Sequence, residues 1–187
     1  TQEMEKLKNL PSVKKVHILR DKELHITESI SLIGADLAWQ QKDNMNNGLN
    51  GEGVKVAVID SGIDYTHEEL GGCFGEGCKV AGGYDYYNND ADPMDDHGHG
   101  THVAGIIAAN GQYQGVAPNA TLYAYKACGN GCPDESVIAA IEASIDPDGN
   151  PLTDDGADIV NISLGGFGGI DSPLSVAVNE AAQTGDL

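Results

Sequence analysis

The chain has 187 residues, a length that predicts one domain, or one with a short appendage. It is 40% hydrophobic with 25 glycines, and no apolar run approaches the roughly 20 residues that a membrane span needs. Net charge is −19, which repels phosphate backbones and excludes nucleic acid as a natural partner. The charge is unevenly spread. Residues 1–22 hold six of the ten Lys and Arg against three acids, a net +3, whereas the remainder carries four against 26, a net −22. A basic segment of this kind can dock on an acidic body. The acidic body suits an extracellular or high-salt setting and offers hard oxygen ligands for calcium. The sequence starts at Thr1 with no signal peptide, so the expectation is the interior of a longer precursor.

In chain order, "VKKVHIL" (13–19) alternates partly and predicts a strand, and "SISLIGADLAWQ" (29–40) predicts a short helix. A turn-rich linker follows at 46–53. "VKVAVID" (54–60) is a β-branched run that stops at the polar turn Asp60-Ser61-Gly62, which predicts a buried strand. "KVAGGYDYY" (79–87) predicts a weaker strand, "THVAGIIAAN" (101–110) a helix and "ATLYAYKA" (120–127) a strand. "DESVIAAIEASI" (134–145) has an acidic first turn and apolar residues at helical spacing. "ADIVNISLGG" (157–166) predicts another strand, and "SPLSVAVNEAAQTG" (172–185) a helix with Pro173 near its start. Nearly continuous apolar strands alternating with helices predict an α/β fold of three layers, a mostly parallel sheet flanked by helices. Ligands in such sheets bind at the carboxyl ends of strands, where Asp60, the 128–132 loop and the 161–166 turn all fall.

The four cysteines form two close pairs, Cys73 with Cys78 and Cys128 with Cys132, each spanning a short glycine-containing loop. The expectation is two small disulfides and an oxidising, secretory compartment; a zinc site built from both pairs is the rival. In "DYYNNDADPMDD" (85–96), Asp85, Asn88, Asp90 and Asp92 place oxygen side chains at the short spacing that suits calcium, without the closing Glu of an EF-hand. "MDDHGHGTHVAG" (94–105) holds His97, His99 and His102. Gly98 and Gly100 flank His99, and a helix can begin there. A carboxylate at a buried strand end, such as Asp60, can accept an imidazole N–H and hold the ring in one tautomer.

The stretches "VAVIDSGID", "HGTHVAG" and "NISLGG" resemble, in order and spacing, the aspartate, histidine and substrate-strand motifs of the subtilisin-like serine proteases, the subtilases. "GVAPNATLYAYK" (115–126) and "DGADIVNISLGG" (155–166) resemble the same family, so the likeness covers roughly residues 30–185. It implies a serine endopeptidase that hydrolyses polypeptide substrates. Asp60 then orients His99, and His99 is the general base that takes a proton from a serine and returns it to the leaving amine. His102 is the structural second histidine. Ser163, Leu164, Gly165 and Gly166 form the edge that pairs with an extended substrate, and a second such segment falls near 129–133. The resemblance also implies a calcium-binding loop of the 85–92 kind, with calcium structural and no catalytic cofactor.

Two family motifs are missing from the sequence: a nucleophile segment like "GTSMAxP" and an oxyanion asparagine in a "GN" turn. Ser163 lies in the substrate-strand motif, and "NISLG" is not a G-x-S-x-G elbow. The expectation is the front portion of a peptidase domain over 28–187, its sheet incomplete at the C-terminal end and the chain inactive alone. Residues 1–27 resemble the tail of an inhibitor-like propeptide, an intramolecular partner that blocks the cleft. Two alternatives remain. One is a metal-dependent hydrolase using the histidine cluster with Asp60, since His97 and His99 form an H-x-H pair. The other is a non-catalytic peptide-binding module.

Overall fold

The structure is a computed structural model that describes residues 26–44, 48–150, 152–153, 155–166 and 169–183. The strand expected at 13–19 lies outside these residues. Four strands form the sheet: β1 (Lys55–Asp60), β2 (Val80–Asp85), β3 (Thr121–Lys126) and β4 (Ile159–Ile162). Their order is β2-β3-β1-β4, and every neighbouring pair is parallel. The longer helices are α1 (Ile26–Ile33), α3 (His99–Ala108), α4 (Asp134–Ile145) and α5 (Pro173–Ala181), with a single turn α2 (Ala35–Ala38).

The central strand β1 shows why both faces must be covered. Val56 and Val58 point to one face, where they meet Val103, Ala104 and Ala108 of α3 together with Leu122 and Ala124 of β3. Ala57 and Ile59 point to the other, against Val137, Ala140 and Ile141 of α4 and Ala181 of α5. A strand buried on both sides needs apolar residues at every position, and β1 supplies them up to Asp60. The result is the expected three-layer arrangement.

The elements depart from the sequence reading at their ends. The helix expected over 29–40 is two pieces, because Gly34 adopts φ 76°, a left-handed conformation that ends α1. The second piece is anchored by Trp39, whose indole N–H donates to the Val116 carbonyl at 2.9 Å. α3 begins at His99, the earlier of the two starts, His99 and Thr101, open to it in the sequence. β4 runs only four residues, opposite Val56–Ile59 of β1, and Ser163–Gly166 continues beyond it without strand pairing. All four cysteines are in disulfides, Cys73–Cys78 and Cys128–Cys132, so no thiolate is available for zinc. Among the described residues no helix is long and apolar enough to cross a membrane.

Candidate active site

Asp60 is the last residue of β1, and its carboxylate is 1% exposed. A buried carboxylate needs donors, and two are supplied locally. The Ser61 N–H donates to Oδ1 at 2.7 Å, and Nδ1 of His99 lies 2.8 Å from Oδ1 and 2.9 Å from Oδ2. With Nδ1–H donated to Asp60, the imidazole keeps Nε2 as the nitrogen able to accept a proton. The ring is half exposed and lines a cleft of about 230 Å³ at the carboxyl ends of β1, β3 and β4. Ser61, His97, Cys128, Gly129, Cys132, Ser163, Leu164 and Gly165 line the same cleft.

His99 reaches Asp60 because α3 starts where it does. The helix N-cap is Gly98, at φ 94° and with no side chain to cap with. Asp95 does the capping instead. Its Oδ1 accepts the His97 and Gly98 N–H groups, both at 2.9 Å, and its Oδ2 accepts the N–H and hydroxyl of Thr101. Burial raises the Asp95 pKa, but the bonds from the Thr101 hydroxyl and from the Gly98, His97 and Thr101 N–H groups outweigh it and hold the carboxyl below the ordinary range. The Ser61 hydroxyl ties this cap to the strand end, donating to Asp95 at 2.9 Å and accepting from the Gly100 N–H at 2.9 Å. Gly100 allows the approach: a Cβ there would sit 2.1 Å from the Gly62 carbonyl oxygen and 3.1 Å from the Asp60 Cβ. Asp95, Ser61 and Thr101 are the functional positions that the sequence reading missed. An aspartate four residues ahead of a histidine was the only available signal.

The remaining histidines separate. His97 is exposed and lines the cleft. His102 is exposed on α3 and lines a different, mostly apolar cavity of about 400 Å³ with His67, Glu69, Leu70 and Tyr113. Among the described residues no histidine joins a group of three ligand side chains close enough for one metal ion. Ser163 is exposed, and its hydroxyl donates to Asn161 Oδ1 at 2.8 Å. Neither Ser163 nor Ser61 hydrogen-bonds His99. Leu164 is half-buried against the α4–α5 core, while Gly165 and Gly166 are exposed.

In the acidic loop expected to hold calcium, Asp85, Asp90 and Asp92 each accept hydrogen bonds from within the protein. Asp85 is 1% exposed and accepts from the Asn88 N–H at 2.7 Å and from Asn88 Nδ2 at 2.8 Å. The Lys126 ammonium lies 3.6 Å from Asp85 Oδ2 and 3.0 Å from Asp96. Burial lowers the Lys126 pKa, but Asp96 and Asp85 outweigh it and hold the ammonium above its ordinary value. Asp90 accepts the Asp92 N–H, and Asp92 accepts the Tyr65 hydroxyl. The carboxylates of Asp85, Asp90 and Asp92 do not gather around one point, and a resident cation already stands beside Asp85. These residues do not fit a calcium cage.

The comparisons with known proteins agree with this geometry. The subtilase (peptidase S8) family model matches residues 51–187. The minor extracellular protease Vpr of Bacillus subtilis is 41% identical over 167 residues, covering 79% of this chain and 18% of that protein. The thermostable alkaline protease of Halalkalibacterium halodurans is 36% identical over 190 residues, covering 99% of this chain and 46% of that protein. A solved cold-adapted subtilisin-like serine proteinase superposes with a TM-score of 0.55 at 31% identity, over 81% of this chain and 52% of that structure. The chain thus spans less than half the length of these two curated relatives. A parallel sheet ending in a hydrogen-bonded Asp60–His99 pair, inside a matching family model, means that the chain belongs to the subtilase family of serine peptidases.

Proposed function

We propose that this chain supplies the aspartate, the general base and part of the substrate cleft of a secreted serine endopeptidase acting on polypeptides. The observation that carries the reading is the bond from His99 Nδ1 to buried Asp60, in a ring that lines the cleft beside Ser163–Gly165. Asp60 fixes the tautomer and orientation of His99 and stabilises the imidazolium formed in the reaction. Nε2 of His99 accepts the proton of a serine hydroxyl as that oxygen attacks the peptide carbonyl, then returns it to the leaving amine. The Ser163–Gly166 segment, which continues past β4 without strand pairing, offers backbone groups to an extended peptide. Both disulfides fit an oxidising compartment. Residues 1–27, which resemble the tail of an inhibitor-like propeptide, would serve as an intramolecular inhibitor.

No serine hydroxyl bonds His99 among the described residues, and the sequence carries no nucleophile motif. On this reading the 187 residues do not hydrolyse peptides by themselves, because acyl transfer also requires a serine nucleophile and oxyanion donors. A fluorophosphonate probe tests this. The chain alone should remain unlabelled. A longer protein that contains it together with a serine motif should label, and His99→Ala should abolish that labelling. Labelling of Ser163 in the chain alone would overturn the assignment.

A further inference from the structure

The cleft beside His99 is flanked from two sides, because β1 lies between β3 and β4 and Asp60 ends β1. Ser163, Leu164 and Gly165 line it after β4, and Cys128, Gly129 and Cys132 line it after β3. Both ends of the β3–α4 loop are fixed without its disulfide. The Asp60 carbonyl accepts the Ala127 and Cys128 N–H groups at 2.8 and 3.1 Å. At the other end the Pro133 carbonyl accepts the Ser136 and Val137 N–H groups at 3.0 and 3.1 Å, and the Ser136 hydroxyl donates to the Tyr86 carbonyl at 3.1 Å. Between these anchors the Gly129–Gly131 turn has weaker ties. Its internal bond runs from the Gly129 N–H to the Gly131 carbonyl at 2.9 Å. The Asn130 N–H reaches the Tyr87 hydroxyl at 3.3 Å, a long bond. Gly129 lies against the Tyr87 ring, where a Cβ would collide. The Cys128–Cys132 bridge closes this turn. A bridge across a sequence separation of four removes little entropy from the unfolded chain, since that gain grows with loop length. Its effect therefore falls on the local shape of the cleft wall rather than on the whole fold.

We propose that Cys128–Cys132 is a redox-sensitive clasp on this cleft, opened by a small external dithiol. Cys132 is exposed and Cys128 is 5% exposed, so the reagent meets Cys132 first. A reagent thiolate attacks Sγ of Cys132, the S–S bond breaks, and Cys128 leaves as a thiolate that takes up a proton. The second thiol of the reagent then attacks the reagent's own sulfur in the mixed disulfide and releases Cys132. Two electrons and two protons pass from the dithiol to the protein, and the reagent ends as a disulfide. The opened turn keeps only its internal bond and its contacts with Tyr87, so the wall after β3 loses its fixed spacing from Ser163–Gly165. Cys73–Cys78 closes a loop of similar length but, among the described residues, lines no part of the cleft. The two bridges thus separate a surface staple from an element of the cleft. The use of the wall by an extended peptide rests on the peptidase reading, whereas the clasp itself does not.

The test titrates the Cys73→Ser/Cys78→Ser variant of the 187-residue chain with mixtures of reduced and oxidised dithiothreitol, at constant pH and without denaturant. Alkylation with mass spectrometry reports the state of Cys128 and Cys132, and amide NMR spectra report the cleft. On opening, the amides of Gly129, Asn130, Gly131, Leu164 and Gly165 should shift with the same midpoint as the alkylation. The Gly129 and Asn130 amides should exchange with solvent faster by about tenfold or more. The downfield Nδ1 proton of His99 should remain, because Asp60 holds the ring without the bridge. Reoxidation should restore the starting spectrum, and Cys128→Ser/Cys132→Ser should show the opened one with no reagent present. If the Cys73→Ser/Cys78→Ser variant fails to fold, the same titration of the parent chain decides, since alkylation identifies which pair has opened. Cleft amides that stay in place once Cys128 and Cys132 are alkylated, or collapse of the whole spectrum on their reduction, would each overturn the proposal. Fluorophosphonate labelling does not enter these readouts, so a failure of the clasp and a failure of the peptidase reading are told apart.

Discussion

At the scale of single residues, the site depends on groups that never touch a substrate. Asp95 accepts hydrogen bonds from Ser61, His97, Gly98 and Thr101, and so fixes where α3 begins and where His99 stands. Replacing Asp95 with Ala removes the cap and should cost about 1–2 kcal/mol in urea unfolding. The linkage sign follows from its lowered pKa. A carboxyl held below its ordinary value of 3.8 adds stability that is present above that value and lost as pH falls through the folded pKa. Chemical denaturation from pH 6 down to 3 should show a shallower acid loss in Asp95→Asn than in the parent. Equal slopes would mean that Asp95 does not couple to folding. Gly100→Ala tests the same contact sterically. Its Cβ would collide with the Gly62 carbonyl, a backbone atom that cannot turn aside, so α3 must shift. The expected loss is about 2 kcal/mol or more, with the downfield Nδ1 proton of the Asp60–His99 bond weakened or gone from the NMR spectrum. Asp60 and His99 were legible because each sits in a local motif at a strand end or helix start. Asp95 and Ser61 were not, because their roles arise from a contact across 34 residues of chain.

At the scale of elements, the sequence spoke clearly where boundaries are set locally. α4 spans Asp134–Ile145 as expected, since Pro133 at its N-cap and the acids of its first turn define its start. α1 and α2 were read as one helix because the apolar pattern runs across Gly34, and only its left-handed backbone reveals the break. β4 is shorter than its apolar run because a strand lasts only as long as its partner, and β1 offers it Val56 to Ile59. Lys126, the last residue of β3, was read as part of an ordinary strand. It is an anchor between elements, joining β3 to Asp85 at the end of β2 and to the loop before α3. Its side chain is 4% exposed and that of Asp85 is 1% exposed, so removing the ammonium leaves a buried carboxylate unpaired. Lys126→Met should therefore destabilise by about 3–5 kcal/mol. The pair with Asp96 matters less, because Asp96 is largely exposed and screened by solvent. Since the Lys126 pKa is raised, its contribution is complete below 10.5 and is lost as pH climbs through the folded value. Thermal melts at pH 9 and above 10.5 should show an alkaline loss in the parent that Lys126→Met lacks.

At the scale of the whole molecule, two opposing forces set its behaviour in solution. The sheet is asymmetric: β1 is buried along nearly its whole length, whereas β4 forms the outer edge among the described residues and is only partly covered. Ile159 of β4 is 51% exposed, so this edge presents apolar side-chain surface beside strand backbone, the usual route to edge-to-edge pairing. Against it stands a net charge of −19, which keeps copies apart. Salt decides between them, because the Debye length falls from about 30 Å at 0.01 M to about 8 Å at 0.15 M. The chain should remain monomeric in sedimentation at low ionic strength and associate in a concentration-dependent way at 0.15 M or above. Ile159→Lys places a cation on the edge strand, where natural sheets commonly use lysine against pairing. Half-exposed already, the position should tolerate the change within about 1 kcal/mol. If β4 is the contact, this variant stays monomeric at salt concentrations where the parent associates. If it associates as the parent does, the attraction lies on another face.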